Sequence, residues 1–198
     1  MKQDCVPGFG VRTLTLHFAT APRYPVPMNA PARIITSPER ARLSVDDYVL
    51  LNDNGAFEGY TKTELIEGEI WVMNAQYSRH ARAKTRLAVE LSLALRGLGS
   101  DLEAISEVAV RLSDNSMPEP DIVLTSWRGE GAVPVETVAL IVEVSDTTLD
   151  TDLGRKADLY AAAGVPEYWV IDLNENRALM HEFPEADGYR GQLDILLG

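Results

Sequence analysis

PEPDIVL at residues 118–124, VALIVEVSD at 138–146, TDLGRKADLYAAAG at 151–164 and VPEYWVID at 165–172 form one unit. Three β-branched apolar runs are joined by a turn-rich loop and one short amphipathic segment, the pattern of β–β–α–β. ALIVEV is almost continuously hydrophobic, which predicts a central strand covered on both faces. Glu143 lies inside that run, where a carboxylate costs several kcal/mol to desolvate unless a cation accompanies it. Strand alternation puts Glu143 and Ser145 on one face and Val142 and Val144 on the other. In the helix that follows, Leu153, Ala157, Tyr160 and Ala161 make the apolar stripe. Lys156 falls within its arc, while Arg155 and Asp158 point away. Asp121 opens the first strand directly after Pro120.

Two carboxylates and a lysine aimed at one sheet admit two readings. One is structural: a buried Glu143–Lys156 pair, with Asp121 as a turn residue. The other is a metal-dependent phosphodiesterase. In that case Asp121 and Glu143 hold Mg²⁺, a hard cation that polarises a phosphate oxygen, and Lys156 orients the attacking water and stabilises developing charge. Mn²⁺ is a possible substitute. Walker-type glycine loops, nucleophile elbows and CxxC zinc pairs are absent from the sequence, which removes the usual competing chemistries.

PEPD at 118–121 followed by VEVSDTTLDTDLGRKADLYAAAGVPEYWVID at 142–172 resembles the Uma-type restriction endonucleases of the PD-(D/E)XK nuclease superfamily. The likeness extends upstream to TELIEGEIWVMN, SRHARAKTRLAVELSLAL and VAVRLSDNSMPEPDIVL, and covers roughly Leu43 to Arg190. It implies an α/β fold with a restriction-endonuclease-like α–β–β–β–α–β core, a mixed central sheet and an N-terminal hairpin. It also implies a Mg²⁺-dependent endonuclease acting on DNA. Asp121, Glu143 and Lys156 would be catalytic, with the metal on Asp121, Glu143 and the backbone carbonyl of Val144. Ser145 stands where the bare motif has lysine; in the family resembled the lysine has moved to the helix, where Lys156 stands. Ser145 could support a water at the cation. Glu64 matches a family glutamate and is a candidate additional acidic residue, or else a solvated strand residue. His80 matches a family histidine position and is a candidate ligand. A homodimer is expected from the resemblance, with weak support from an apolar edge around RALMHEF.

A chain of 198 residues with 45% hydrophobic content fits one ordinary α/β domain, assigned to 39–198. No apolar run approaches the roughly 20 residues a bilayer requires, so no membrane association is expected. A single cysteine, Cys5, suits a reducing cytoplasm. The formal charge of −12 argues against nonspecific coating of nucleic acid. It confines contact with DNA to a local face. The acidity and the lack of a DNA-reading domain also favour an alternative, a non-catalytic nucleic-acid- or protein-binding module that retains the nuclease fold. Retention of all three core polar residues disfavours it.

Residues 1–38 hold more than half of the eleven prolines and show no sustained periodicity. They read as a disordered or non-native extension, with VRTLTLHF as a possible short strand, His17 incidental and Met28 a natural start. Ser44 is a good N-cap for a short helix over VDDYVLLND, ended by Gly55. Thr63 to Met73 reads as a hairpin turning at Glu67-Gly68. Ser78 to Leu98 is the longest helical pattern, with Ala83, Leu87, Leu91, Ala94 and Leu98 as its buried stripe. Arg79, Arg82 and Arg86, with His80 and Lys84, make a basic patch that could contact phosphate or simply face solvent. Ser106 to Leu112 reads as one strand, 129–134 as a flexible loop and RALMHEF as an edge strand. The chain ends soon after, which suggests a missing terminal element.

Overall fold

The hairpin and helix that flank the central sheet are fixed by local chemistry. Ser44 caps α1 (Val45–Asp53): its Oγ accepts from the Asp47 N–H, while Asp47 Oδ2 accepts from the Ser44 N–H, each at 3.1 Å. This is a reciprocal capping box. Strands β1 (Lys62–Ile66) and β2 (Glu69–Met73) pair antiparallel, with Glu64 opposite Trp71. Their two-residue turn places Glu67 at φ 51° and Gly68 at φ 78°, the mirror-image turn whose twist suits a hairpin. A Cβ on Gly68 would lie 2.6 Å from the Arg42 Cβ, so glycine is required there twice over. The computed structural model describes residues 35–198. The expectations for Cys5, His17, Met28 and VRTLTLHF lie outside the described residues.

Helix α2 spans Ser78–Leu98 and ends on Gly99 in the left-handed conformation. Its buried stripe differs from expectation in the second half. Ala83, Leu87, Ala88, Leu91 and Leu95 pack on the sheet, whereas Ala94 is exposed and Leu98 is 81% exposed. His80 and Lys84 continue this inner face at the helix start, so the stripe begins with polar groups rather than apolar ones.

The expected single strand over 106–112 is two strands. β3 (Glu103–Ser106) belongs to the main sheet, and β4 (Val110–Arg111) pairs in parallel with β6 (Val133–Pro134). The break is at Glu107, which takes φ 53° and donates its N–H to the Asp121 carbonyl at 3.2 Å. A left-handed residue turns the chain out of the ladder. β6 also gives order to part of the segment read as a flexible loop.

The remaining elements are β5 (Ile122–Thr125), β7 (Val138–Ser145), α3 (Leu149–Thr151), a π-turn over Asp152–Lys156, α4 (Ala157–Ala162), β8 (Glu167–Asp172), β9 (Arg177–Glu185) and β10 (Gly188–Leu196). Six strands form one mixed sheet in the order β10-β9-β8-β7-β5-β3. Only β7 and β8 run parallel, joined across α3, the π-turn and α4. RALMHEF is therefore not an edge: β9 lies inside, and β10 and β3 are the edge strands.

β7 is the spine of the sheet. Ile141 faces Tyr160, Tyr168 and Val170, while Leu140, Val142 and Val144 face Leu87, Leu91 and Leu95 of α2. Each such side chain stabilises the fold by about 1.5–3 kcal/mol of burial. The hairpin packs on α1 through Val45, Tyr48, Leu65 and Met117. Residues Arg40–Gly198 form one compact unit. Among the described residues, no helix is long and apolar enough to cross a membrane.

Candidate active site

Pro118 and Pro120 hold the chain extended into β5, and register places Ile122 opposite Val142. Asp121 therefore arrives beside Glu143. Its N–H lies 3.4 Å from Glu143 Oε2, and its Oδ2 accepts from the Val144 N–H at 2.8 Å. The same Oδ2 is 3.1 Å from His80 Nε2. Oδ1 accepts from Gln76 Nε2 at 2.9 Å and lies 3.5 Å from Lys84 Nζ. Burial alone would raise the Asp121 pKa, but His80, the Val144 N–H and Gln76 outweigh it and hold it down at about 2.

Glu143 has the opposite surroundings. Its Oε1 accepts from Lys156 Nζ at 2.8 Å and from Tyr160 Oη at 2.9 Å. Burial pushes its pKa up to about 7; Lys156 opposes this, and Asp121, Asp152 and Glu64 add to it. Lys156 pays for its own burial through the same carboxylates: desolvation favours the neutral amine, yet Glu143, Glu64 and Asp152 hold it charged well above its usual pKa. Lys156 Nζ is also 3.6 Å from Glu64 Oε2.

Glu64 is not a solvated strand residue. It is 1% exposed, accepts from the Glu119 N–H at 3.1 Å and lies 3.7 Å from Lys62 Nζ. Ser145 is buried beside Thr148, with 3.4 Å between the hydroxyls. Thus Asp121, Glu143, Val144, Lys156, Glu64, His80 and Ser145 share one region of the molecule.

The basic patch expected on α2 loses two of its five members. His80 and Lys84 turn inward, and Lys84 Nζ donates to Gln76 Oε1 and Glu107 Oε1 at 2.5 Å each. Burial works against a charged His80 ring, but Asp121 more than offsets it and raises the pKa. Arg79 is tied to Asp146 and Asn174 at 3.0 Å and to the Leu173 carbonyl. Arg82 and Arg86 are exposed on another face of α2.

Asp152, Lys84, Gln76 and Glu107 were missed as site residues. Asp152 is buried, accepts from Thr148 Oγ1 at 2.6 Å, and has its pKa raised by burial. Its spacing of four from Lys156 was the available signal. The π-turn turns both side chains inward, and Tyr168 Oη secures the turn by donating to the Asp152 carbonyl at 2.9 Å. Such turns recur at functional sites. Lys84 carried a similar signal, four residues after His80.

The cleft over this cluster encloses ≈ 440 Å³ and is walled by the hairpin on one side and by Thr147–Lys156 on the other. Trp71 lines the hairpin wall, with the Arg155 guanidinium 4.5 Å from its ring centroid. Arg155 is anchored in turn by Glu67 Oε2 at 2.8 Å. Tyr77 occupies the N-cap position of α2, where it makes no side-chain cap.

No curated protein matches the chain. Among solved structures, the crystal structure of a putative nuclease belonging to DUF820 from Anabaena variabilis ATCC 29413 is similar, with a TM-score of 0.57 and 17% identity over 77% of this chain and 83% of that one. That likeness concerns the fold, a mixed α/β architecture of the restriction-endonuclease-like kind. The family described as Uma2, putative restriction endonuclease, matches residues 45–195, which include every element from α1 to β9 and most of β10. The chain belongs to the Uma2 family.

Proposed function

We propose that this protein is a Mg²⁺-dependent endonuclease that hydrolyses DNA phosphodiesters in the cleft between the hairpin and the π-turn. Family membership supports a nuclease. The observation that carries the site assignment is the buried Lys156 held between Glu143 and Glu64, next to Asp121.

The donor set fits a hard divalent cation. Among the described residues, no three His, Cys, Asp or Glu side chains are spaced to hold a metal by themselves. Coordination would therefore rest on the Asp121 and Glu143 carboxylates, the Val144 carbonyl and retained waters, a balance that suits Mg²⁺, with Mn²⁺ as a substitute. In an extended strand the N–H and C=O of one residue face the same edge, and the Val144 N–H faces Asp121. Burial, with the neighbouring carboxylates Asp121, Asp152 and Glu64, leaves Glu143 hard to ionise, and a cation would relieve this. Bound there, Mg²⁺ would polarise a phosphate oxygen and make water acidic enough to attack.

The chain's own residues do the rest. Lys156 stays charged, orients the water through its remaining protons and offsets charge that builds on the phosphate. Tyr160 fixes the rotamer of Glu143 through Oε1. Glu64 keeps Lys156 from collapsing wholly onto Glu143. Arg79, bonded to Asp146 of the cleft lining, would meet a phosphate.

One observation favours the non-catalytic reading. Both oxygens of Asp121 already accept from or face donors of His80, Gln76, Lys84 and Val144. Calorimetric titration with Mg²⁺ and Mn²⁺, alongside cleavage of circular DNA, decides between the two. Metal binding with metal-dependent nicking supports the nuclease; a protein that binds neither ion and cuts nothing is the non-catalytic module. We further propose a homodimer, the commonest closed assembly of a soluble chain. Its interface would lie on the β10 edge, where Leu193 and Leu196 are exposed. Light scattering that reports a monomer at tens of micromolar would count against it.

A further inference from the structure

Trp71 is a large aromatic side chain placed against its local interest. It stands opposite Glu64 in the hairpin, so both side chains share one face, and that face looks into the cleft. Glu64 there is sealed, yet Trp71 remains 36% exposed. Its ring is held from one side by Arg155, itself anchored to Glu67. Tyr77, 79% exposed, adds a second ring to the lining of the same cleft. A flat ring fixed in advance loses little freedom when something stacks on it.

We propose that Trp71 is a stacking platform for an unpaired nucleobase next to the scissile phosphate, so that the cleft takes single-stranded or flapped DNA rather than intact duplex. The inference rests on the nuclease reading of the same cleft. Three observations select this occupant. The ring lies in the cleft that holds Asp121, Glu143 and Lys156, where a strand placed for cleavage must bring a neighbouring base. A volume of ≈ 440 Å³ matches a small-molecule pocket and therefore one nucleotide unit, while a protein partner would need a far broader face. The cations of α2 are committed or lie outside the cleft: Arg79 is held by Asp146 and Asn174, His80 lies against Asp121, Lys84 donates to Gln76 and Glu107, and Arg82 and Arg86 are exposed away from the cleft lining. Much of the affinity would then come from neutral bases, and aromatic stacking supplies it without regard to sequence.

The test is binding, measured by fluorescence anisotropy on the full chain with Ca²⁺ in place of Mg²⁺. The probe is one labelled oligodeoxynucleotide, presented as a single strand, a flapped duplex and a blunt duplex. Single strand and flap are expected to bind more tightly than blunt duplex. Trp71→Ala should weaken single-strand binding by roughly ten- to a hundredfold. Trp71→Phe keeps a stacking face and should bind close to wild type. Trp71→Leu keeps apolar packing without one and should fall with alanine. Equal affinity for blunt duplex, or leucine binding as well as phenylalanine, overturns the platform. So does a dimer that Trp71→Leu dissolves while oligonucleotide affinity stays unchanged, which would assign the ring to a second copy of the chain. A ribo-oligonucleotide of the same sequence separates the two sources of an unpaired base, and preference for either strand over duplex supports stacking. Cleavage is scored separately: a protein that binds as described yet cuts nothing keeps the platform and loses the nuclease.

Discussion

Asp121 and Glu143 are neighbours across β5 and β7, yet the two sides of the site treat them in opposite ways. On the α2 side, Gln76, His80 and Lys84 surround Asp121 with donors, and its pKa falls to about 2. On the π-turn side, Asp152 and Glu64 crowd Glu143, and burial among them raises it to about 7 despite Lys156. The α2 side is electrostatically complete as it stands. The π-turn side carries surplus negative charge. A cation entering the cleft would therefore be drawn chiefly by Glu143, with Asp121 turning from its present donors to share it.

Lys156 gives the largest way to break this comparison. Lys156→Ala removes the cation that, among the described residues, is bonded to Glu143, so cleavage should fall by about 10²–10³-fold or more. The metal-free protein should also lose on the order of 3–5 kcal/mol, because buried charge is left unpaired. Single-turnover cleavage at saturating Mg²⁺ and denaturant melts without metal measure the two losses. The stability loss should shrink at acidic pH, where Glu143 takes up a proton and no longer needs a partner. Cleavage within tenfold of wild type would remove Lys156 from the chemistry.

Conservative amides sharpen the contrast with effects of about 2–3 kcal/mol. For Glu143 the folded pKa, about 7, exceeds the unfolded reference of 4.5. Its contribution to stability is therefore fully present below 4.5 and is lost as pH rises through 7, a decline on the order of 3 kcal/mol. For Asp121 the folded pKa, about 2, lies below its reference of 3.8. Its contribution is present above 3.8 and is lost as pH falls through 2, about 2 kcal/mol. His80, raised above 6.5 by Asp121, adds to the decline on the alkaline side. Metal-free stability should thus be higher near pH 5 than near pH 8, and Mg²⁺ should narrow that gap. Glu143→Gln should flatten the same gap without metal, while Asp121→Asn should destabilise at neutral pH by removing the charge that His80 faces. Urea midpoints across pH, with and without Mg²⁺, read out all of these. Equal pH profiles for the two amides would erase the distinction between the two sides.

The sides also differ in how much of them could be read beforehand. Asp121, Glu143 and Lys156 stood out because each interrupts an apolar pattern, and a polar residue where burial is forced is informative. His80 and Lys84 were hidden by their company. Set among Arg79, Arg82 and Arg86, they looked like part of a solvated face, and only the three-dimensional position of Asp121 turns them inward. The stripe of α2 was legible at Ala83, Leu87 and Leu91 but drifted at Ala94 and Leu98, where the helix overhangs the sheet and nothing rewards burial. Glu107 carried no sign of its left-handed backbone, so the break between β3 and β4 could not be foreseen. β10 was missed because GYRGQLDIL mixes glycines and charges on an exposed edge. Most of its residues are exposed and neither face is buried, so no apolar alternation marks it.

The smallest expected effect separates residues that the sequence grouped together. Arg79, Arg82 and Arg86 lie within eight positions of α2, and all three were candidates for phosphate contact. Arg79 is committed to Asp146, Asn174 and the Leu173 carbonyl next to the cleft. Among the described residues Arg82 bonds only Ser78 Oγ, at 3.2 Å, and with Arg86 it lines a shallow surface groove beside Val89 and Glu90. An exposed charge without a specific partner contributes within about 0.5 kcal/mol to stability. It touches no strand that occupies the cleft. Arg82→Ala and Arg86→Ala should therefore leave the melting midpoint and single-strand cleavage close to wild type, while Arg79→Ala should weaken both. A drop in cleavage for Arg82→Ala as large as that for Arg79→Ala would mean that nucleic acid runs along the outer face of α2. The cleft would then be only part of a longer binding track.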